Sequence, residues 1–202
     1  MSFGLDKLPH IRLRVPGVGL WLMCLGMLVS VMKVHGETEP PEQLQQKKVK
    51  AVFVLNVAKF VRWPETAVQA HRDQLTLCYE QDDVLGSAYE IIRNHSVNGR
   101  PLVRKWIDSK EDLGACDILL LSEAGLKRYR NAPLVSPDSP LLVVADLTAH
   151  KSTGEAYPGV HIALVRKGSK IGFDVNLSAV HRSHLKLSSR LLRLARIVGD
   201  ED

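Results

Sequence analysis

Side chains that could form a catalytic site are few in this chain of 202 residues. Ser87 follows Gly86, but the surrounding residues do not form the G-x-S-x-G turn that exposes a nucleophilic serine. No H-E-x-x-H or C-x-x-C sequence is present, and no glycine-rich loop of phosphate-binding spacing follows a predicted strand. We therefore predict that the protein is not an enzyme and has no cofactor.

His181 and His184 are three residues apart, a spacing at which two imidazoles on one helix can share a metal ion. Their neighbours include Arg182 and Lys186, whose positive charges repel an approaching cation. We predict that no metal binds here.

Asp82 and Asp83 form the acidic pair that follows the first predicted strand. Ligands often bind at the carboxyl ends of strands in an open α/β sheet, so these carboxylates and Ser122 could contribute to a binding site. The alternative is that they cap the helix predicted to begin near Leu85 and interact with its dipole. We favour the capping role.

The first 36 residues have the features of an export signal. Lys7, Arg12 and Arg14 precede an uncharged, mostly apolar run that ends near Met32. The sequence Val34-His35-Gly36 then offers a small-residue cleavage site after Gly36. The apolar run has about 16 residues, whereas a helix that crosses a bilayer needs roughly 20, which favours a cleaved signal over a membrane anchor. The predicted organisation is a signal peptide at 1–36, a flexible leader at 37–46 and one domain at 47–199.

Removal of this signal changes the charge of the protein. The full chain has 27 basic and 22 acidic residues and a formal net charge of +5. Four of those basic residues and one of the acidic residues lie in residues 1–36, so the mature chain keeps a net charge of only +2. The basicity therefore belongs mostly to the targeting segment and gives no argument for nucleic-acid binding.

Cys78 and Cys116 are the two cysteines that remain after the signal is removed. In an oxidising compartment, an even pair in one exported domain most simply forms a disulfide. The bond requires the two Cα atoms to come within about 7 Å of each other. Two reduced and partly buried thiols are the alternative.

Predicted helices and strands alternate along the domain. Apolar periodicity and short apolar runs predict these elements in order: a helix at 42–62, a strand at 75–79, a helix at 85–95, strands at 102–107 and 118–121, a helix at 123–130, a strand at 141–145, a polar loop at 146–158, and a β-hairpin formed by 162–165 and 170–175. This order predicts a single three-layer α/β domain, in which helices cover both faces of a mixed β-sheet.

The last predicted element is a long amphipathic helix at 180–198. Its apolar residues recur at helical spacing, and basic residues occupy the opposite side. This basic side is the best candidate for a partner-binding face, although we favour the alternative of an ordinary solvated helix surface. The predicted partner-binding residues are Arg182, Lys186, Arg190 and Arg193.

Two separated blocks of this sequence resemble the YfiR-like family of periplasmic proteins. The first block is KAVFVLNVAKFVRWP at 50–64, which is similar to the family pattern K-A-x-F-x-x-N-F-A-K-F-V-x-W-P. The second is FDVNL at 173–177 followed by LKLSSRLLRLA at 185–195, which is similar to F-x-I-N-L and LK-L-S-S-x-LL-x-LA. The blocks occur in the family's order, and the resemblance extends over nearly all of the chain after residue 45.

The resemblance implies a function that the residue patterns alone do not. YfiR-like proteins are periplasmic repressors that bind the periplasmic sensing domain of an inner-membrane diguanylate cyclase, and an OmpA-like outer-membrane lipoprotein relieves the repression. It therefore implies a periplasmic negative regulator of cyclic di-GMP signalling and biofilm formation, and it leaves homodimer formation open. The alternative is a periplasmic module that binds a small molecule or cell-wall fragment and reports it to another membrane sensor, such as a histidine kinase.

Overall fold

The computed structural model describes residues 40–199 except 71–72, 110, 132–134 and 152. The first element is the helix α1 (Pro41–Phe60). The predicted signal peptide at 1–36 and the first three residues of the predicted leader lie outside the described residues. Residues 41–46 of that leader form the first turns of α1. The predicted helix at 42–62 is confirmed, and it ends two residues early because Val61 and Arg62 pair with another strand.

The other elements are short. The helices after α1 are α2 (Glu65–Ala70), α3 (Glu123–Asn131), α4 (Leu177–Arg182) and α5 (Ser189–Leu192), and 3₁₀ helices occupy Gly86–Ile91 and Glu111–Ala115. The strands are β1 (Val61–Arg62), β2 (Leu75–Glu80), β3 (Ser96–Val97), β4 (Arg100–Ile107), β5 (Ile118–Leu121), β6 (Leu142–Lys151), β7 (Ile162–Lys167), β8 (Lys170–Asn176), β9 (Lys186–Leu187) and β10 (Arg196–Val198).

The main sheet has eight strands in the order β10-β8-β7-β6-β5-β2-β4-β3. Strands β4, β2, β5, β6 and β7 run parallel to one another. At either side of this group, β8 is antiparallel to β7 and β3 is antiparallel to β4. A separate two-stranded sheet pairs β1 with β9. The predicted α/β domain with a mixed sheet and a hairpin formed by β7 and β8 is therefore confirmed.

Both faces of the main sheet are packed against other elements. Because side chains alternate along a strand, Ile118 and Leu120 of β5 join one apolar core with α1, whereas Leu119 and Leu121 join a second core with Leu126 of α3. The strand is fully buried on both sides, which accounts for its uninterrupted apolar sequence.

Two local predictions differ from the structure. The segment predicted as a helix at 85–95 is a 3₁₀ helix over Gly86–Ile91. Strand β6 continues to Lys151 because that residue pairs with Arg166 after a shift of register, so the first part of the predicted loop at 146–158 belongs to the sheet.

The predicted long helix at 180–198 is wrong. Helix α4 ends at Arg182, and His184 follows with a positive φ of 57°. Lys186 and Leu187 then pair with β1, and β10 adds a parallel strand to β8. Pairing with distant strands satisfies the backbone polar groups that a continuous helix would satisfy internally. The Ser188 hydroxyl, which accepts a hydrogen bond from the Leu191 amide at 3.3 Å, caps the short helix α5 between them.

Candidate functional site

A cavity of about 510 Å³ lies where β6 and β7 begin. Its wall is built by four elements that are far apart in the sequence, and the residues that determine its character are Tyr129, Arg130, Leu141, His161, Ala179 and Arg182. The first two come from the end of α3, the next two precede the strands, and the last two come from α4. The cavity is therefore at the amino-terminal edge of the parallel strands, opposite the edge where the sequence suggested a binding site.

His161 fixes the position of α4 at this edge. Its Nδ1 accepts a hydrogen bond from the Val143 amide at 2.9 Å, so the proton of the neutral ring is on Nε2, which lies 2.8 Å from the Ser183 hydroxyl oxygen. Ser183 lies 3.1 Å from the Ala179 carbonyl oxygen and donates its own proton toward the end of α4. From the sequence alone, His161 did not stand out as a site residue. Its position between the apolar residues Val160 and Ile162 was the signal of burial.

His161 is uncharged at neutral pH. Burial lowers the pKa of His161 to about 4, and the nearby Arg182 charge also lowers it. Both ring nitrogens already have partners inside the protein. His161 therefore supplies neither a positive charge nor a free nitrogen to the cavity.

Tyr129 and Gly159 form a closely packed part of the cavity wall. Gly159 has a φ of +73°, and a Cβ atom added there would lie 2.9 Å from Cε1 of Tyr129 and 3.0 Å from its hydroxyl oxygen. Glycine is needed both for this backbone conformation and for this contact. Tyr129 is only 4% exposed, and burial raises the pKa of its phenol.

The charged residues of the cavity wall are all basic. Arg130 and Arg182 both line the cavity, no carboxylate does so, and neither guanidinium forms an ion pair with an acidic residue in the described ranges. Arg128, two residues before Arg130, pairs with both Glu80 and Asp82. The cavity therefore combines a mostly apolar wall with two positive charges that have no acidic partner among the described residues.

The four predicted partner-binding residues do not share one helix face. Arg182 ends α4, Lys186 belongs to β9, Arg190 lies in α5, and Arg193 is the C-cap residue of α5. All four side chains are exposed, and Arg182 alone among them lines the cavity. Their role in partner binding stays a prediction, although the helix from which it was inferred is absent.

Asp82, Asp83 and Ser122 form a hydrogen-bonded cluster at the carboxyl ends of β2 and β5. Asp83 accepts hydrogen bonds from the amides of Leu85 at 3.2 Å and Gly86 at 2.8 Å, as the capping alternative requires. Ser122 donates to Asp82 at 2.6 Å, and this bond lowers the pKa of the carboxyl group. These groups have partners within the protein.

Cys78 and Cys116 are joined in a disulfide with their Cα atoms 5.9 Å apart, consistent with the prediction. Cys78 lies in β2, and Cys116 follows the 3₁₀ helix at Glu111–Ala115, so both side chains enter the same apolar core. Next to this bond, Asp117 pairs with the buried Arg100 at 3.1 Å and accepts a hydrogen bond from the Thr76 amide at 2.7 Å.

Several large apolar side chains are exposed on α1 and near α5. Val49 is 45% exposed, Val52 is 43% exposed and Leu194 is 74% exposed. Val49 and Val52 lie outside the buried stripe of α1 although both are apolar. The buried stripe consists of Ala51, Val54, Leu55, Val57 and Ala58.

The described residues lack two features that would indicate other classes of site. They contain no helix that is both long enough and apolar enough to cross a membrane. They also contain no group of three or more histidine, cysteine, aspartate or glutamate side chains arranged to hold a metal ion.

Comparisons with known proteins place the chain in a family. No curated protein matches it closely enough to count as a relative. A family model described as YfiR/HmsC-like matches residues 47–196, which include every strand of the main sheet except the end of β10. The chain belongs to the YfiR/HmsC-like family.

Proposed function

We propose that this protein is a periplasmic negative regulator that binds the sensing domain of an inner-membrane diguanylate cyclase. By holding the cyclase inactive it restrains cyclic di-GMP signalling and biofilm formation, and an OmpA-like outer-membrane lipoprotein relieves this restraint. The family match over residues 47–196 is the observation that carries the proposal. The export signal inferred at 1–36 supports the periplasmic location.

A repressor of this kind does not need to catalyse a reaction. A regulator shifts a cyclase toward its inactive state by binding that state more tightly than the active one, and about 1.4 kcal/mol of difference is needed for each tenfold shift. Exposed apolar side chains supply such binding energy when a partner covers them. Val49 and Val52, which are three residues apart and therefore neighbours on the surface of α1, are well placed for this role.

The test is repression of a cyclase in cells. Deleting the gene should raise cyclic di-GMP, and the wild-type protein supplied in trans should lower it again. The double variant Val49→Ser/Val52→Ser should restore repression poorly, whereas Ile91→Ser, which alters a 40% exposed apolar residue on another element, should act like wild type. An unchanged cyclic di-GMP level in the deletion strain would contradict the proposal.

A second candidate function is a periplasmic module that binds a small molecule or cell-wall fragment and reports it to another membrane sensor. The cavity of about 510 Å³ favours it, because sites for small ligands are usually mostly apolar cavities of roughly this size with a few polar groups. A strain in which the deletion alters the output of a histidine kinase but not the cyclic di-GMP level would support this second function.

A further inference from the structure

We infer that the cavity beside α4 binds a small organic anion, whose charged group contacts Arg130 and Arg182 and whose apolar body fills the space between Tyr129 and Leu141. This inference deepens the second candidate function and does not depend on a cyclase as the partner. It applies equally to a regulator whose binding to a cyclase is modulated by a ligand.

The size and lining of the cavity indicate an organic molecule. A space of about 510 Å³ is far larger than an inorganic anion and suits a molecule with a ring or a short apolar chain. Most of the surface that lines the cavity is apolar, and Leu141 and Ala179 are among the residues of this wall. A bare phosphate ion would leave that surface in contact with water, whereas an apolar body would cover it.

The charges of the wall indicate an anion. Guanidinium groups bind carboxylate and phosphate through paired, charge-assisted hydrogen bonds. Five other arginines pair with acidic side chains of the protein, namely Arg93, Arg100, Arg104, Arg128 and Arg196. Arg130 and Arg182 form no such pair in the described ranges, so both can engage a bound anion. A cation would be repelled from the same position.

Tyr129 adds a hydrogen-bonding group to the cavity wall. Its side chain is almost fully buried in the cavity wall, yet its hydroxyl group forms no hydrogen bond with any described residue. Because its oxygen is not among the fully buried atoms that lack a partner in the described residues, it is accessible to solvent, and water or a ligand can be its partner. A ligand in the cavity would supply that partner. His161 cannot do so, because its two nitrogens are engaged by Val143 and Ser183.

The test compares two fluorescent probes with nearly the same aromatic body. The dye 8-anilinonaphthalene-1-sulfonate carries a negative charge, and N-phenyl-1-naphthylamine lacks it. Both would be titrated into the purified, exported protein. We expect Arg130→Gln/Arg182→Gln to weaken binding of the anionic dye by about tenfold or more through loss of two charge-assisted contacts, while the neutral dye binds this variant as it binds wild type.

The control variant is Arg190→Gln/Arg193→Gln, which removes two exposed arginines outside the cavity and should leave both affinities unchanged. Tyr129→Phe tests the phenol separately and should weaken the anionic dye without lowering the melting temperature. Equal binding of the anionic dye by wild type and Arg130→Gln/Arg182→Gln would overturn the inference, as would an equal loss in the control variant. Equal affinity of the wild type for the two dyes, with neither affinity dependent on the arginines, would overturn the anion assignment while leaving a binding module in place.

Discussion

Loss of the bond between Cys78 and Cys116 should destabilise the domain by a calculable amount. The bond joins residues with a sequence separation of 38. In the chain-entropy model, a loop of that length lowers the entropy of the unfolded chain by about 13 cal/mol/K, which corresponds to about 4 kcal/mol at 25 °C. This is a large fraction of the roughly 5–15 kcal/mol by which domains are stable. We expect the reduced protein to lose about that much free energy of unfolding.

Urea unfolding of the wild-type protein, with and without a reducing agent, measures this contribution. Reduction keeps both buried sulfur atoms in place, so the comparison isolates the cross-link from a change in packing. The melting temperature should fall by roughly 8–16 °C for a domain of this size. Cys78→Ala/Cys116→Ala is the control, because its stability should be low already and should not respond to the reducing agent.

The reasoning fails if reduction changes the free energy of unfolding by less than about 1 kcal/mol, a quarter of the amount expected from loop closure. It also fails if the alanine variant responds to the reducing agent as the wild type does. In the first case the unfolded chain would already be compact around these residues, so that the bond would add little constraint.

Three further predictions concern buried groups. Asp117→Asn should cost about 3–5 kcal/mol in urea unfolding because it removes the negative charge from a buried ion pair with Arg100. Glu90→Gln, in an exposed pair, should change stability by less than about 1 kcal/mol, and equal effects of the two changes would contradict the argument. The pKa of His161 is about 4 in the folded protein and near 6.5 when unfolded, so its contribution to stability is complete above pH 6.5 and is lost as the pH falls toward 4. About 3 kcal/mol should disappear over that window in pH-dependent unfolding, and His161→Gln should reduce the loss; an identical pH profile would exclude this residue as the cause. Gly159→Ala should cost about 1–3 kcal/mol because it combines a strained φ with a contact against Tyr129, and an unchanged melting temperature would show that the ring can move away.

Elements whose pattern is local were predictable from the sequence. The central strand β5 is an uninterrupted apolar run, and the β7–β8 hairpin has glycine at the turn, where Gly168 adopts a φ of +63°. The buried residues of helix α1 recur at helical spacing, and Pro64, which cannot continue a helix, follows soon after its end. Each of these signals depends on residues within one segment, and the structure agrees with each of them.

Features that depend on distant partners were not predictable in this way. The residues at 180–198 have helical periodicity, but Lys186 pairs with Arg62 and Ile197 pairs with Val175, and no local signal identifies those partners. The cavity was missed for the same reason, since Arg130 and Arg182 come together only after α3 and α4 reach the same edge of the sheet. The carboxyl edge was the place suggested by general experience with α/β sheets, and in this protein its acidic residues cap a helix and pair with arginines.

The pairing of β1 with β9 and of β10 with β8 has a consequence for biosynthesis. The first strand after α1 has no partner until Lys186 and Leu187 have been made, and one edge of the main sheet is incomplete until Val198 is present. Contacts between such distant parts of a chain form slowly. A polypeptide that emerges amino terminus first therefore cannot complete both pairings before Val198 has been released, and premature termination before Lys186 would leave both β1 and the outer edge of β8 without their partners.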